Sequence, residues 1–531
     1  MNMILLSVAI IIMLCIWGEK FSNKLGMPAL IFFMFVGMLF GSDGIFKIAF
    51  DDFKLAENIC SIALIFIMFY GGFNTKWQAA KAVAGKSLVL STLGVVITAV
   101  VTTILCRIIL KLDISESFLI GAVLSSTDAA SVFAILRKNK LNLKDGTASI
   151  LEVESGSNDP VSYLLTIVAI SITTTGRYGN VFGTIAVQLI VGTIVGLIFA
   201  KFTVHILMKT RLVAEGMDTL FMIASVLFCY GLTAVLGGNA YLSVYLFGIY
   251  TGNHRIRKKN EIIPFFDGLT SLAQILIFFL IGLLTVPHQM KDIMVEALGV
   301  VGIITLIARP VAVFLLLKPL KCSWNQCLLI AWAGLRGASS SVFAITAVAA
   351  GVSMKQDLFH IVFMVSLFSV AIQGTLLPKV ARMLNMVDDD VDVLKTFNDY
   401  QEETAFQLMK LHIPKGHNWE NKMVKDVTMP TGSLALMIKR RGESIITKGD
   451  TLILAEDDIV LSVPPYNPSG SERLEERLIE KGDGWCNKEI SELKISKHKL
   501  IAMVIRDEQP IIPTGQTVIR ENDVVVFFSV K

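Results

Sequence analysis

The chain has 531 residues, 53% hydrophobic and 17% charged, with a mean hydropathy of +0.64, which excludes a string of ordinary soluble domains. The average hides two materials, because 48 of the Asp, Glu, Lys and Arg residues lie in 1–387 and 44 in 388–531. The second part has 25 acidic against 19 basic residues, which excludes a basic nucleic-acid-binding module. The seven cysteines form no C-x-x-C pattern and no zinc spacing, so they read as free thiols and no transition-metal site is expected.

Thirteen apolar runs of about 15 to 28 residues follow one another through residue 386, a length suited to a bilayer core of about 30 Å. The first, near 3–17, has no basic residue before it and no cleavage site after it, so it reads as a membrane helix and not a signal peptide. Runs near 27–41, 58–75 and 83–110 come next, then 115–136, which carries Ser125-Ser126-Thr127-Asp128, and 147–174, which carries Glu154-Ser155-Gly156-Ser157-Asn158-Asp159-Pro160. After 181–208, 217–236, 238–252, 263–286 and 293–317 comes 324–350 with Gly334-Leu335-Arg336-Gly337, and the last run is 356–386. With the N-terminus outside, nineteen basic residues fall in cytoplasmic connections and seven in the others, a bias that supports an odd number of crossings and a cytoplasmic C-terminal region.

Ser131-Val132-Phe133-Ala134-Ile135 in the fifth run is echoed by Ser341-Val342-Phe343-Ala344-Ile345 in the twelfth, in helices that this topology makes antiparallel. Each copy follows a small, polar, helix-weakening stretch, 125–128 and 334–340. Such paired breaks predict an inverted repeat whose broken helices meet near the midplane.

Six ionisable residues fall deep in apolar runs: Asp128, Glu152, Glu154, Asp159, Arg309 and Arg336. Charge at that depth is costly and marks a pathway or an ion pair. Ser155 and Asp159 stand at i, i+4 with Asn158 beside them, so one helical face offers a hydroxyl, a carboxylate and an amide, hard oxygen ligands suited to alkali cations. Pro160 removes a backbone donor and frees a carbonyl at the same point. Glu154 can pair with an arginine, Asp128 can cap the second half of a broken helix, and Glu152 reads as an edge residue. Asp159 has no arginine at helical spacing, and a carboxylate left unpaired in apolar surroundings can exchange a proton for a cation near neutral pH.

After an acidic linker, 388–403, a second repeat appears at an offset of 66: Gly416, Trp419, Asn421, Arg440, Ile453 and Asp457, among fourteen identities, recur as Gly482, Trp485, Asn487, Arg506, Ile519 and Asp523. Each copy has a short alternating strand, 434–438 in the first and 500–505 in the second, a Gly-containing turn and a second, apolar strand, 459–463 and 524–528, which reads as a small α+β unit that buries little alone and is expected to pair.

On these motifs residues 1–387 resemble the electroneutral NhaP-type branch of the monovalent cation:proton antiporters. The resemblance implies a homodimeric fold in the cell membrane, with about 13 transmembrane helices and a mobile core, that exchanges a cation for a proton without net charge. It implies that Asp159 is the shared carboxylate, that Thr127, Asp128 and Ser155 help coordinate the ion, and that Asn158 stands where electrogenic relatives have a second aspartate. It also implies that Glu154 is held by Arg336, with Arg309 nearby. Ala129-Ala130 stands where many sodium-type members have proline, which loosens the sodium assignment and favours potassium over sodium or lithium.

Residues 404–465, and less closely 466–531, resemble the TrkA-C or RCK-C regulatory domains of potassium-transport proteins, some of which bind cyclic di-AMP. No cofactor is expected, and no G-x-G-x-x-G stands in a dinucleotide-binding setting. A rival of another class is a non-transporting ligand sensor acting through the C-terminal units. An enzyme is disfavoured because no histidine lies within the acidic cluster.

Overall fold

The computed structural model describes residues 2–388 apart from 26–27, 76, 140, 176–180, 210–211, 215, 255, 257 and 353, and residues 407–530 apart from 431–432, 441–442, 464–471, 480–482, 494–498, 507–508 and 512. The chain divides into two units, Met1–Leu394 and Lys395–Lys531. The linker expected over 388–403 lies outside the described residues beyond Asp388.

The first unit is helical, as an apolar chain must be where no water satisfies its backbone. Helices α1 (Asn2–Leu25), α2 (Ala29–Phe40) and α3 (Phe53–Asn74) open it. Next come α4 (Trp77–Val89), which runs through a π turn into α5 (Val95–Ile109), then α6 (Ile114–Val123), α7 (Ala129–Lys138) and α8 (Thr147–Thr175). The middle holds α9 (Val181–Lys209), α10 (Asp218–Val235), α11 (Ala240–Gly252) and α12 (Lys259–Leu284). A second π turn joins α13 (Met294–Gly302) to α14 (Arg309–Leu317), then come α15 (Trp324–Trp332) and α16 (Ala338–Ala349), and a third joins α17 (Leu358–Phe368) to α18 (Thr375–Met383). Among the described residues, seven helical segments are long and apolar enough to cross a membrane.

Without a hydrophobic drive between helices in lipid, close approach of small residues holds them together. At the α2–α12 crossing a Cβ on Gly37 would lie 2.2 Å from the Phe279 carbonyl, and one on Gly282 would lie 2.1 Å from that of Met34. Backbone fills the space where side chains would otherwise stand.

Two interruptions matter for function. Helical structure stops between Val123 and Ala129 and again between Trp332 and Ala338, at the two polar stretches marked in the sequence. Two of the π turns, a feature that often accompanies functional sites, adjoin the same region: Ile303–Ala308 delivers Arg309 and Ser369–Gly374 delivers Ser369.

The second unit holds two four-stranded antiparallel sheets of the same order, β1-β4-β2-β3 and β5-β8-β6-β7. The first is built from β1 (Gln407–His412), β2 (Leu434–Arg440), β3 (Glu443–Ile446) and β4 (Asp458–Val463), and the second from β5 (Glu472–Leu478), β6 (Lys499–Arg506), β7 (Gln509–Ile511) and β8 (Val524–Val530). Even the register shift repeats at the same offset, between Ala435 and Met437 and between Ile501 and Met503. The α+β expectation is corrected: among the described residues this unit has no α-helix, only the single 3-10 turns Val424–Asp426 and Ile490–Glu492. In the first copy the segment between β1 and β2 carries Pro414, Gly416, Asn418, Asn421 and Pro430, which favour turns over a helix.

One buried ion pair is also duplicated. Arg440 donates through Nε and Nη2 to the two oxygens of Asp457 at 2.8 and 2.7 Å, and Arg506 does the same to Asp523 at 2.8 and 2.7 Å. Burial alone pushes the Asp457 carboxyl up, but the Arg440 fork and the Leu454 N–H outweigh it and hold it below the ordinary carboxylate range. A lowered pKa gives stability that is present above the unfolded value and lost as pH falls through the folded one. Arg440→Ala strands a buried carboxylate and is expected to cost the first sheet roughly 2 to 4 kcal/mol at neutral pH. Amide hydrogen exchange of β2 and β4 in the full chain reads that loss. The gap from wild type narrows as pH falls, because burial makes the stranded carboxyl take up a proton before the Arg440-held one does.

Candidate functional site

Helix α8 supplies the first side of the site. Its 3.6-residue period puts Ser155 and Asp159 one above the other, with Glu154 and Asn158 on the adjoining strip, and Glu154, Ser155, Asn158 and Asp159 are all buried. Pro160 sits inside the helix, and its own carbonyl accepts from Asn239 Nδ2 at 2.7 Å.

The break between α6 and α7 faces that strip with unwound backbone. The Thr127 carbonyl accepts from Ser155 Oγ at 2.6 Å, and Thr127 Oγ1 accepts from Asn158 Nδ2 at 2.6 Å. Ser126 Oγ donates to Asp159 Oδ1. From the first turn of α16, beyond the second break, Ser339 Oγ donates to Asp159 Oδ2 at 2.7 Å. Asp159 therefore ties both broken helices to α8, and among the described residues it has no basic side chain as ion-pair partner.

Asp128 caps α7. Its carboxylate accepts from the Ser131 N–H at 3.3 Å and from Ser131 Oγ, as an aspartate before a helix should. Its own N–H donates to the Leu335 carbonyl at 2.8 Å, so the two breaks touch each other directly. Gly337 is required there, because a Cβ would lie 2.1 Å from Asp128 Oδ2.

The predicted Arg336–Glu154 pair is corrected by the geometry. Glu154 is held by Arg309, with Nη2 2.8 Å from Oε2 and Nη1 2.5 Å from Oε1, and both side chains are buried. Arg336 instead donates through Nη1 to the Ser125 carbonyl at 3.2 Å and to that of Ser126, while its N–H donates to Ser369 Oγ at 3.0 Å. The physical reason is local. Arg336 lies in one break, and the carbonyls of the other break, freed from helical partners, claim its guanidinium. Arg309 enters from the π turn and passes Gly334, where a Cβ would come 2.9 Å from its Nε.

Glu152 is exposed, two residues before Glu154 on α8. Ser126 and Ser339, the two donors to Asp159, lie inside the polar stretches marked in the sequence but are not singled out there. Asn158 Oδ1 is buried without a hydrogen-bond partner. The arrangement thus gathers two carboxylates, a freed carbonyl, hydroxyls and an amide oxygen in one desolvated place, with the neighbouring glutamate already neutralised. Such a set of hard oxygens is chemically able to hold a hard cation or a proton.

The family model for the transmembrane sodium/hydrogen exchanger matches residues 9–383, and that for the TrkA-C domain matches residues 474–529. The second match falls on the later of the two C-terminal copies. The K(+)/H(+) antiporter NhaP of Alkalimonas amylolytica is 32% identical over 465 residues, which cover 87% of this chain and 81% of the relative. The K(+)/H(+) antiporter NhaP2 of Shewanella sp. (strain ANA-3) is 31% identical over 448 residues, covering 82% and 77%. In fold, the chain is similar to the sodium proton antiporter MjNhaP1 from Methanocaldococcus jannaschii, with a TM-score of 0.63 at 23% identity over 72% of this chain and 99% of that one. A family match over residues 9–383, together with a relative 32% identical across 81% of its length, establishes that the chain belongs to the sodium/hydrogen exchanger family and carries a TrkA-C domain.

Proposed function

We propose that the protein is a secondary active antiporter of the cell membrane that exchanges K+ for H+, one for one, by alternating access. The observation that carries this reading is Asp159, a buried carboxylate held by one hydroxyl from each broken helix and, among the described residues, by no cation of the protein. An isolated charge in such surroundings needs a compensating partner, and a proton or a cation can supply it. While either is bound the core carries no uncompensated charge and can move; competition between them supplies the coupling. Ser126 and Ser339 can keep donating to the carboxylate while their lone pairs face a cation, since a hydroxyl is both donor and acceptor. Thr127, Ser155 and Asp128 complete the oxygen set, Asn158 keeps the second position neutral, Arg309 cancels Glu154, and the buried Arg336, whose break is bonded to the Asp128 backbone, offsets the charge of Asp128. That charge count predicts electroneutral exchange.

Around this site the proposed architecture has thirteen crossings in two inverted repeats, with the breaks near 125–128 and 334–340 in corresponding positions. The assignment is supported by the match of each apolar run to one helix, one helix pair joined by a π turn, or one broken pair. The proposed units are 1–387 for transport, 388–403 as linker, and 404–465 and 466–531 as regulatory copies. The N-terminus lies outside, the copies are cytoplasmic, and the transporter is a homodimer. The tandem copies, which share one topology, pair and bind a small cytoplasmic ligand of the cyclic di-AMP kind that sets the transport rate.

The test is proton flux in proteoliposomes under a pH gradient, with potassium, sodium or lithium added in turn, and with and without cyclic di-AMP. Potassium is expected to dissipate the gradient fastest and the nucleotide to change that rate. Preference for sodium would transfer the assignment to sodium/proton exchange, the activity named for the structural neighbour. No response to the nucleotide would remove it as the ligand.

A further inference from the structure

Access to a buried site alternates only if a boundary beside it gives way. Two kinds of helix contact meet near Asp159. Helices α3, α9 and α11 are fitted backbone to backbone: a Cβ on Gly192 or Gly196 of α9 would come 2.7 or 2.6 Å from the carbonyl of Asn239 or Ser243, and one on Gly248 or Gly252 of α11 would run into the carbonyl of Phe69 or Phe73 on α3. Such crossings leave no slack for one helix to shift along the other. Helix α8, in contrast, is tied through Asp159 to Ser126 and Ser339, so it forms a second body with the two breaks.

Where α8 meets α11, side chains carry the contact. The Tyr241 ring stands edge-on to that of Tyr163 at 4.8 Å. The Tyr245 hydroxyl accepts from Ser157 Oγ at 3.1 Å, and its ring covers Gly156, where a Cβ would come 2.7 Å from Cε2. Asn239 Nδ2 donates at 2.7 Å to the carbonyl of Pro160, the residue after Asp159. Asn239 is fully buried, and its remaining polar groups serve α9 and α11. Its Oδ1 accepts from the Leu242 N–H at 3.0 Å, capping α11, its N–H donates to the Gln188 carbonyl at 3.0 Å, and its carbonyl accepts from the Ser243 N–H at 3.1 Å. Asn239 thus belongs to the block of α3, α9 and α11 and reaches across to α8 with one amide, a bond that exists only while α8 occupies this position.

We propose that Asn239 is a positioning residue of the exchange cycle: its amide grips the Pro160 carbonyl while Asp159 serves one face of the membrane and releases it when α8 shifts along α11 to serve the other, with Tyr245 and Ser157 as a second grip. This rests on the transport reading above. A grip made in one of two states biases the equilibrium between them by its own strength, and the apparent affinity at each face scales with the fraction of transporter that faces it. The ratio of half-saturating potassium concentrations at the two faces therefore reports the bias, whereas a general weakening of the protein leaves that ratio alone.

The experiment uses the full chain in membrane vesicles of both orientations and measures potassium-driven proton flux against potassium concentration at each face. Asn239→Ser keeps an oxygen to cap α11 but does not reach Pro160. It is expected to change the ratio about fivefold, the effect of one neutral hydrogen bond, raising the half-saturating concentration at one face and lowering it at the other. Tyr245→Phe, which keeps the ring over Gly156, moves the ratio in the same direction by about twofold, and it decides alone if Asn239→Ser does not assemble. An unchanged ratio overturns the proposal, including the case in which flux falls alike at both faces with a lower thermal midpoint, which is the result a packing role gives. Shifts of opposite sign in the two variants overturn it as well. A wild-type protein that moves no cation at either face overturns the transport reading itself, whereas normal wild-type flux with an unchanged ratio in the variants overturns the grip alone.

Discussion

Asp159→Asn is expected to lower cation-driven proton flux at least a hundredfold, to the level of empty liposomes, while leaving the protein folded. Asparagine keeps the shape of the side chain and one oxygen, so Ser126 or Ser339 retains an acceptor and packing around α8 is preserved. What disappears is the carboxylate that no basic side chain compensates among the described residues, the group that can hold a proton in one state and balance a cation in the other. An effect of that size is above 2.7 kcal/mol in the rate-limiting barrier, more than the loss of one hydrogen bond accounts for. The check is flux in proteoliposomes beside a melting curve in detergent. A variant that melts like wild type and is silent fits the account, whereas one that keeps a tenth of the rate does not.

Arg309→Met is expected to produce the largest loss of stability. The Arg309–Glu154 pair is buried on both sides, and removing one member of such a pair leaves an uncompensated charge at a cost of about 3 to 5 kcal/mol. The thermal midpoint in detergent falls sharply and the yield of monodisperse protein drops. Adding Glu154→Gln removes the stranded charge, so the double variant recovers most of the midpoint. If Arg336 were the true partner, Arg336→Met and not Arg309→Met would be the variant rescued by Glu154→Gln, and the two double variants separate these possibilities.

What could be read without coordinates was what is local along the chain. The strip Glu154, Ser155, Asn158 and Asp159 follows from helical period alone, and the two breaks follow from Ser125-Ser126-Thr127-Asp128 and Gly334-Leu335-Arg336-Gly337, where small and polar residues interrupt apolar runs. The arginine pairing was not legible. Glu154 and Arg309 are 155 positions apart, and a π turn sets which way Arg309 enters. Nor could the sequence say which serines face Asp159, because that depends on how the chain rotates as it leaves the helix.

In the C-terminal unit the two alternating strands, β2 and β6, and the two apolar ones, β4 and β8, were visible. Strands β1 and β5 were not, since Gln407–His412 is short and without a repeating pattern and Glu472–Leu478 is charged at five of its seven positions, and both owe their place to pairing with β4 and β8. The α+β expectation failed for a related reason. A repeat of this length with two apolar strands leaves room for either a helix or two further short strands, and pairing, not local pattern, decides between them.

The central claim is that one carboxylate is neutralised by one cation or one proton, so that no charge crosses with the cycle. The most direct measurement is potassium-driven proton flux in proteoliposomes while a membrane potential of either sign is imposed, with Asp159→Asn beside the wild type. The account predicts a wild-type rate that is the same at negative, zero and positive potential, and a silent variant. A rate that rises with one sign of the potential and falls with the other, or exchange that survives Asp159→Asn, contradicts it.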